Sequence, residues 1–345
     1  MSEPAFWSRR GLTATALRPA AAIYGTVAAR RMRQAPDYWP PIPVICVGNF
    51  TSGGEGKTPT AIALAEIARG LGRRPGFLTR GYGGTEAGPV LVAGRLADPA
   101  RVGDEPCLLA RVAPTVVSAN RPNGARMLAE NDVDLIIMDD GFQNPHLGKD
   151  LSLAVTDAEV GLRNRLVLPA GPLRAPLKVQ LRFADALVLV GEGPAQAGLL
   201  RLAARAGKRV LRAHLVPIDS DRWKQGKLFA FAGIGRPDKF FAALERAGGR
   251  FAGRNAFPDH HQFTEAEARV LLGHADAGPI RLVTTEKDHV RLQNATGALA
   301  NLRDRTEVFS VRMEFEAPSE VAAMIRRTAE EVRDGRSRKR SAVGR

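Results

Sequence analysis

Residues 44–59 read Val44-Ile45-Cys46-Val47-Gly48-Asn49-Phe50-Thr51-Ser52-Gly53-Gly54-Glu55-Gly56-Lys57-Thr58-Pro59, and this stretch decides the fold of the chain. An apolar strand leads into a glycine-rich turn, and the apolar periodicity after residue 60 predicts a helix. A strand, a glycine-rich loop and a helix in this order are typical of a phosphate-binding P-loop. The backbone N–H groups of the loop and the N-terminus of the helix would hold the phosphates.

Two side chains of this turn carry the chemistry of a nucleotide site. Lys57 supplies a positive charge for the β- and γ-phosphates, and the Thr58 hydroxyl suits a Mg²⁺ ion. The strict motif has a glycine where this chain has Thr51, so a glycine-rich turn with an incidental lysine is the alternative. The flanking strand and helix favour the nucleotide site, together with three glycines that would bind phosphate: Gly53, Gly54 and Gly56.

The length, charge and cysteine content of the chain limit its domain number, its partners and its compartment. At 345 residues it is long enough for two domains. The formal net charge is +14, and ten of those excess charges lie in residues 1–33 and 333–345. Basic ends favour an anionic partner, such as phospholipid, lipid phosphate or nucleic acid. For residues 336–345 we favour a disordered, solubilising tail. The two cysteines make no disulfide framework, which indicates a reducing cytoplasm.

The N-terminal segment predicts a short amphipathic helix. Pro19 suits the first helical turn, and four apolar residues fall on one face, namely Ala20, Ile23, Tyr24 and Val27. Such a helix can lie in a membrane interface or pack on the core of the protein itself, and the sequence leaves both open. No apolar run of 18 or more residues occurs, so we do not expect a transmembrane span.

Short apolar strands alternate with helices along the chain, which predicts an α/β fold with a P-loop-type, doubly wound and mostly parallel sheet. We expect a P-loop domain over residues 1–218, to which the helix 319–332 returns, and a second, smaller α/β domain over residues 223–307. Sites in such sheets lie at the carboxyl ends of the strands. The P-loop, Arg80, Asp139 and Asp140 all follow predicted strand ends.

Carboxylates follow two further elements. Leu135-Ile136-Ile137-Met138-Asp139-Asp140 indicates a Walker B-type strand, whose terminal aspartates hold Mg²⁺ directly or through water. The spacing does not say which aspartate has the larger role. Asp104 begins a predicted helix, where a helix cap and a general base are equally open interpretations. The pair His260 and His261 lies in a loop, which on its own favours ordinary exposed histidines.

Taken together, these motifs resemble the tetraacyldisaccharide 4'-kinase family, the lipid A 4'-kinases. The most specific combination is a P-loop followed by proline with Asp139-Asp140-Gly141-Phe142-Gln143. The matching segments stand in family order across about residues 6–315, at 47–49, 53–59, 79–84, 102–106, 138–143, 169–174, 229–237, 257–261 and 284–288.

The resemblance implies transfer of the γ-phosphate of ATP to the 4'-hydroxyl of tetraacyldisaccharide 1-phosphate, which gives lipid IVA. It implies ATP and Mg²⁺ as cofactors and an acylated, anionic glucosamine disaccharide as the partner. It also implies a peripheral enzyme on the cytoplasmic face of the inner membrane, with a membrane surface as a second partner. We expect no nucleic acid partner, and the oligomeric state stays open.

The resemblance also assigns roles to single residues. Asp104 would be the general base for the sugar hydroxyl, with His261 orienting and tuning its carboxylate. Lys57 would stabilise charge on the transferred phosphoryl group. Thr58, with Asp139 or Asp140, would hold Mg²⁺. Further residues would line the site, namely Arg80, Tyr82, Asn120, Arg121 and Gln143.

Two positions depart from the family pattern. Asn144 follows Gln143 where the family commonly has histidine, so a contact there is expected to differ. Ala175 stands where the family often has glutamate, which puts any metal or nucleotide role of that carboxylate in doubt.

Two other functions fit part of the pattern. One is a P-loop kinase or NTPase for a soluble small molecule, which leaves the amphipathic N-terminus unexplained. The other is a membrane-recruited nucleotide switch, which would lack an acceptor and a general base. Residues 286–288 match a guanine-specifying motif only in part, so ATP is favoured over GTP.

Overall fold

The computed structural model describes residues 4–94 and 97–335, and the strands in that part of the chain form two sheets. The basic C-terminal residues predicted as a disordered tail, 336–345, lie outside it. In chain order the strands are β1 Val44–Asn49, β2 Pro75–Thr79, β3 Val90–Leu91, β4 Thr115–Val117, β5 Leu135–Asp139, β6 Leu151–Asp157, β7 Ala186–Val190, β8 Arg209–Pro217, β9 Lys227–Ala232, β10 Arg250–Ala256, β11 Ile280–Thr285, β12 Thr306–Phe309 and β13 Val311–Phe315.

The larger sheet is built around the P-loop strand. Within the described residues it has nine strands in the order β13-β8-β7-β6-β1-β5-β2-β4-β3. The seven inner strands run parallel, and β13 and β3 are antiparallel edges. Every residue of β1, β5 and β6 is buried, as parallel strands covered on both faces require. The predicted doubly wound α/β fold is therefore confirmed.

Helices cover both faces of this sheet. In chain order the α-helices of the described residues, including those of the smaller unit, are α1 Leu12–Ala16, α2 Arg18–Met32, α3 Lys57–Gly70, α4 Pro99–Val102, α5 Asp104–Leu109, α6 Arg121–Glu130, α7 Leu177–Phe183, α8 Gln196–Arg205, α9 Pro237–Arg246, α10 Glu265–Asp276, α11 Glu286–Arg291, α12 Gly297–Arg305 and α13 Pro318–Arg333. Apolar residues of α2, α6, α7 and α8 pack on one face. Those of α3, α5 and α13 pack on the other.

The smaller sheet is wholly parallel, with the order β10-β9-β11-β12. One of its faces packs against α9, and the other packs against α10 and α12. The predicted capping box is confirmed at the start of α10, where the Thr264 side chain accepts from the Glu267 N–H and the Glu267 side chain accepts from the Thr264 N–H. This second α/β unit is also as the sequence predicts.

The chain passes between the two sheets at Ser310. The sequence predicts one strand over residues 308–313, and that prediction is wrong, because β12 ends at Phe309 in the smaller sheet and β13 begins at Val311 in the larger one. Phe309 packs in the core of the smaller sheet, whereas Met313 and Phe315 pack in that of the larger. The N–H of Ile218 donates to the Ser310 carbonyl at 2.9 Å, so the two chain crossings lie side by side.

The N-terminal helix packs by a different face from the apolar one seen in the sequence. The buried residues of α2 are small or flexible, namely Ala21, Gly25, Ala29 and Met32. The predicted apolar face points outward, since Ile23 is 71%, Tyr24 42% and Val27 63% exposed. No helix within the described ranges is both long and apolar enough to cross a bilayer.

Candidate active site

The P-loop lies between the buried end of β1 and the first residue of α3. Gly53 and Gly56 have φ angles of 133° and 93°, which favour glycine because a Cβ would be strained there. The Lys57 Nζ donates to the Gly53 carbonyl at 3.1 Å, and the Asn49 side-chain amide donates to the same oxygen at 3.1 Å. The Lys57 ammonium also lies 3.8 Å from a carboxylate oxygen of Asp140. The loop therefore holds its lysine at the carboxyl edge of the sheet.

Thr58 and Asp139 form the part of the site that suits a metal ion. The Thr58 hydroxyl donates to Oδ2 of Asp139 at 3.0 Å. The other carboxylate oxygen, Oδ1, is buried and has no hydrogen-bond partner among the described residues. Burial raises the pKa of Asp139 to about 7, and the charges of Glu105 and Asp140 add to this. An orphaned carboxylate oxygen beside a hydroxyl matches the oxygen ligands that Mg²⁺ prefers.

Asp140 is already paired with cations. Arg174 donates to both of its carboxylate oxygens, at 2.8 and 3.2 Å. Burial would raise the pKa of Asp140, but the charges of Lys57 and Arg174 outweigh burial and lower it. The two neighbouring aspartates therefore differ, because Asp139 keeps an unsatisfied oxygen and Asp140 is held by a bidentate arginine.

The five residues expected to line the site make different local contacts. Asn120 caps α6 by accepting from the Asn123 N–H at 3.1 Å. Gln143 donates to the Asn49 carbonyl at 2.7 Å, which holds the end of β1. Arg80 and Tyr82 are exposed, the latter to 67%. Arg121 is buried, with its Nη1 donating to the Ser118 carbonyl at 2.6 Å.

Arg121 and Arg80 form a positive region near the ends of β2 and β4. Burial lowers the pKa of Arg121 to about 10, and the nearby charge of Arg80 contributes to this shift. The Arg121 Nε is buried without a hydrogen-bond partner in the described part of the chain. An under-satisfied buried guanidinium suits an anionic group of a ligand.

Asp104 is the first residue of α5 and is only 4% exposed. Its Oδ1 accepts from the Glu105 N–H at 2.9 Å. Its Oδ2 accepts from Nε and Nη2 of Arg291, at 3.1 and 2.5 Å. Burial would raise the pKa of Asp104, but the hydrogen bond with His260 and the charges of Lys287 and Arg291 hold it well below its usual range. Asp104 therefore stands at the start of a helix, where a capping role was one of the two open interpretations. It also belongs to a buried charged cluster, which is compatible with a catalytic role.

The expected pairing of Asp104 with His261 is wrong, because the histidine beside Asp104 is His260. His260 Nδ1 lies 3.5 Å from Asp104 Oδ2. The His261 ring instead contacts both carboxylate oxygens of Glu267 at 3.0 Å and stacks on Phe257. The physical reason is the backbone, since His260 has a φ of 59° that turns the two adjacent side chains in different directions.

Further charged residues join the two sheets, and the sequence reasoning did not single them out. Lys287 contacts Glu105 at 2.6 Å. Asp157, at the end of β6, accepts from Arg236 at 2.7 Å and from Lys239 at 2.6 Å. Lys287 and Arg236 lie within two of the segments that match the family, so the sequence could have indicated them. No sequence motif includes Asp157.

Glu55 is a buried carboxylate within the P-loop itself. It accepts a short hydrogen bond from the Thr51 hydroxyl. Its other oxygen, Oε2, is buried without a partner among the described residues. Burial raises the pKa of Glu55 to about 7, although the hydrogen bond from Thr51 opposes the shift. Thr51 stands where the strict motif has glycine. Its hydroxyl gives the Glu55 carboxylate a hydrogen bond that glycine could not give.

The two departures from the family pattern have plain local structures. The Asn144 side chain accepts from the His146 N–H at 3.0 Å, and His146 pairs with Asp37 at 2.6 Å. Ala175 is fully buried, and its carbonyl accepts from the Gln180 side chain at 2.8 Å. Neither position adds a carboxylate or an imidazole to the residues around Asp139.

Known proteins match this chain over most of its length. A family model described as Tetraacyldisaccharide-1-P 4'-kinase matches residues 13–330. The tetraacyldisaccharide 4'-kinase of Paramagnetospirillum magneticum is 48% identical over 320 residues, covering 92% of this chain and 96% of that protein. The enzyme of the same name from Methylorubrum populi is 51% identical over 310 residues, covering 88% and 93%.

A solved structure shows the same fold. LpxK from Aquifex aeolicus, crystallised in complex with ATP, is 26% identical and superposes with a TM-score of 0.70. The match covers 92% of this chain and 99% of that structure. These comparisons confirm the resemblance drawn from the motifs.

Proposed function

This chain belongs to the tetraacyldisaccharide-1-P 4'-kinase family, and from that premise we propose how its residues perform the reaction. The chain is a tetraacyldisaccharide 4'-kinase. It transfers phosphate from ATP to the 4'-hydroxyl of a lipid A precursor. The nucleotide binds at the P-loop, where the backbone of Gly53, Gly54 and Gly56 approaches the phosphates and Lys57 balances their charge.

A magnesium ion belongs at Thr58 and Asp139 in this proposal. The orphaned Asp139 oxygen and the adjacent hydroxyl support this assignment. Thr58 and Asp139 would hold Mg²⁺, which would neutralise negative charge on the phosphates. Asp140 has the lesser role, because its carboxylate is held by Arg174. It orients Arg174 and Lys57 toward the phosphates.

Asp104 accepts the proton of the sugar hydroxyl, and His260 orients and tunes its carboxylate. The pKa of Asp104 is held low, so its carboxylate is ionised at neutral pH and able to accept a proton. The hydrogen bond with Asp104 raises the pKa of His260, although burial opposes this. Nδ1 of His260 faces Asp104 Oδ2 at 3.5 Å.

The acceptor lies between the two sheet units. Arg80 and Arg121 offer positive charge for the phosphate that the acceptor already carries, and Tyr82 lies beside His260 with a ring separation of 5.2 Å. The unit of residues 223–307 then closes on the P-loop unit of residues 1–218, to which helix 319–332 belongs. Closure keeps His260 beside Asp104 and excludes water from the phosphoryl group.

The outward face of α2 binds a membrane surface. Ile23, Tyr24 and Val27 are exposed on one side of a helix that ends with Arg30 and Arg31. Apolar side chains beside arginines suit the boundary of an anionic lipid layer. The acceptor is itself a lipid, so we place the enzyme peripherally on the cytoplasmic face of the inner membrane.

The contact between Asp104 and His260 carries this proposal. The test is transfer of ³²P from ATP to detergent-solubilised tetraacyldisaccharide 1-phosphate with Mg²⁺, using wild type and Asp104→Asn. We expect transfer by wild type and at least a hundredfold loss in kcat in the variant, with ATP binding retained. Nearly unchanged transfer by Asp104→Asn would contradict the assigned roles of both residues.

A further inference from the structure

We propose that Gln180 is a positioning residue for phosphoryl transfer, whose buried amide fixes the direction of the Gln143 amide and through it holds Arg174 at the P-loop. The inference rests on the proposed function, because it takes from it that Arg174 is directed toward the phosphates. It adds a residue of α7 that lies outside the predicted site.

The Gln180 side chain joins three segments of the larger unit. It lies on α7 and is fully buried. Its Nε2 donates to the Phe50 carbonyl at 3.1 Å and to the Ala175 carbonyl at 2.8 Å. Its Oε1 accepts from Nε2 of Gln143 at 2.9 Å. Phe50 follows β1, Ala175 follows Arg174, and Gln143 lies in the loop after β5. One amide therefore ties together the P-loop, the segment of Arg174 and the loop after the Walker B-type strand.

These contacts allow each of the two amides only one direction. A side-chain amide has two N–H donors and one carbonyl acceptor. Both donors of Gln180 meet backbone carbonyls, which cannot donate, so its oxygen must face Gln143. Gln143 must then present its NH₂ group to Gln180, and its second donor meets the Asn49 carbonyl at 2.7 Å. The Gln143 oxygen is therefore turned to the remaining side, where Nη1 of Arg174 lies 3.5 Å away.

The Gln143 oxygen is one of three groups that hold the Arg174 guanidinium. Nε donates to the Thr51 carbonyl at 2.9 Å, and Nη1 and Nη2 donate to the two carboxylate oxygens of Asp140. Asp140 in turn lies 3.8 Å from the Lys57 ammonium. A guanidinium whose position is fixed near a second cation suits the binding of phosphate oxygens. The direction of the Gln143 amide therefore contributes to where Arg174 presents its charge.

The backbone of Arg174 is held by the same side chain. The Arg174 N–H donates to the Phe50 carbonyl at 2.9 Å, and that carbonyl also accepts from Gln180. The carbonyl of the next residue, Ala175, accepts from the same amide. Gln180 therefore supports the backbone from which the guanidinium extends, as well as the amide that faces it.

Packing alone does not account for an amide at this position. Leu177, Val179 and Leu181 of the same helix pack in the apolar cluster on one face of the larger sheet. An apolar side chain of similar size would fill the position of Gln180 without burying polar atoms. The amide instead makes three hydrogen bonds, each to a different segment around the P-loop. A positioning role explains why a polar side chain stands here.

The test is ³²P transfer from ATP to the detergent-solubilised acceptor by Gln180→Met, by Arg174→Gln and by the double variant, measured on the full chain. Methionine keeps the length of the side chain but makes none of the three hydrogen bonds. Gln180→Met should lower kcat about tenfold or more, because a small displacement of a charged group slows the reaction by such factors. In the Arg174→Gln background the same substitution should lower kcat by less than about twofold, because the guanidinium that it positions is already absent.

The matched control is Thr115→Val. Thr115 is also fully buried and its hydroxyl donates to the Ala113 carbonyl at 2.9 Å, but it is the first residue of β4, away from the carboxyl ends of the strands. This variant should lose stability and keep wild-type kinetics. An equal loss of kcat on Gln180→Met in both backgrounds would overturn the positioning role, since a packing defect acts whether or not Arg174 is present. If Gln180→Met does not fold, Gln143→Met replaces it in both backgrounds, with the same expected and overturning results.

Arg174→Gln alone separates this inference from its premise. It should lower kcat/KM about tenfold or more, because a positive charge near the phosphates is removed. Wild-type kcat/KM in Arg174→Gln would show that Arg174 does not act on the phosphates, which overturns that part of the proposed function and this inference together. A large loss in Arg174→Gln with wild-type kinetics in folded Gln180→Met overturns only the inference about Gln180.

Discussion

His260 and Asp104 meet across the boundary between the two sheet units, with Nδ1 of the histidine 3.5 Å from Oδ2 of the aspartate. Asp104 begins α5 beside the larger sheet, whereas His260 lies in the loop after β10 of the smaller one. Because neither unit holds both groups, this pair is assembled only while the units are together. The position of the smaller unit therefore decides whether the proposed base is oriented.

The two adjacent histidines should respond very differently to substitution. His260→Gln should lower kcat by about 10²-fold or more, because Asp104 loses the imidazole that orients its carboxylate. His261→Gln should leave kcat within a few fold of wild type, because His261 contacts Glu267 and Phe257 instead of Asp104. Steady-state ³²P transfer on both variants measures this. A larger loss in His261→Gln than in His260→Gln would reverse the assignment.

Lys57→Ala should lower kcat/KM by about 10²-fold or more, because the ammonium stabilises charge on the phosphoryl group. The matched control is Lys178→Ala, an exposed lysine on α7, which should keep wild-type kinetics. ATP affinity and transfer are measured on the same preparations. Near wild-type kcat/KM in Lys57→Ala would exclude the P-loop as the phosphate site.

Asp139 and Asp140 should differ in their effect on the metal. Asp139→Asn should raise the Mg²⁺ concentration for half-maximal activity more than about tenfold, and Asp140→Asn should raise it less, because Arg174 holds that carboxylate. Mg²⁺ binding should also tighten as the pH rises through about 7, where Asp139 loses its proton. Calorimetry in buffers of different ionisation enthalpy should show proton release below pH 7, and its absence would contradict the role of Asp139.

Glu55 should make the protein less stable as the pH rises. Burial raises its pKa from 4.5 to about 7, so the folded state binds the proton more tightly within that window, and the free energy of unfolding falls as the pH rises through it. Glu55→Gln removes this titration and should gain up to about 3 kcal/mol relative to wild type at pH 8. Thermal unfolding at pH 5 and pH 8 tests this, and parallel pH slopes for both proteins would contradict it.

Substitution of the outward face of α2 should reduce membrane binding. Val27→Glu should lower co-sedimentation with anionic phospholipid vesicles at least severalfold, because a charge replaces an apolar side chain that would insert into the lipid layer. Val270→Glu is the matched control, since Val270 on α10 is 62% exposed and Val27 is 63% exposed. Folding and activity toward detergent-solubilised acceptor should be unchanged in both. Equal binding of the two variants would remove α2 from the membrane contact.

Elements with strong local signals could be predicted from the sequence. The sequence predicts strands over residues 75–79 and 186–190 and a helix over residues 121–130, and these bounds agree to the residue with β2, β7 and α6, because proline, glycine or charged residues stand at their ends. The proximity of Thr58 to the aspartates at the end of β5 was also available, although not which aspartate it contacts, since a P-loop and a Walker B-type strand are adjacent in a doubly wound sheet. Local pattern and topology together were enough for this half of the site.

The other half of the site depends on contacts that sequence spacing does not encode. His260 and His261 are neighbours of the same type, and a left-handed backbone conformation at His260 decides which of them reaches Asp104. Arg291 and Asp157 meet partners more than 70 residues away in the chain. Chain order does predict that the strands near residues 210–217 and 308–314 form the crossing between the units, but the change of sheet at Ser310 itself is missed, because one strand-like pattern continues through it.

The return of the chain to the larger sheet has a consequence for its synthesis. β13 pairs with β8, and α13 packs on the same face as α3, although the smaller sheet lies between them in the chain. The ribosome therefore completes the inserted unit before it delivers the strand and helix that cover the P-loop helix. At about 5–20 residues per second, the apolar side of α3 waits about 13–50 seconds for α13 to be synthesised. During that interval the nascent chain presents a natural substrate for a chaperone.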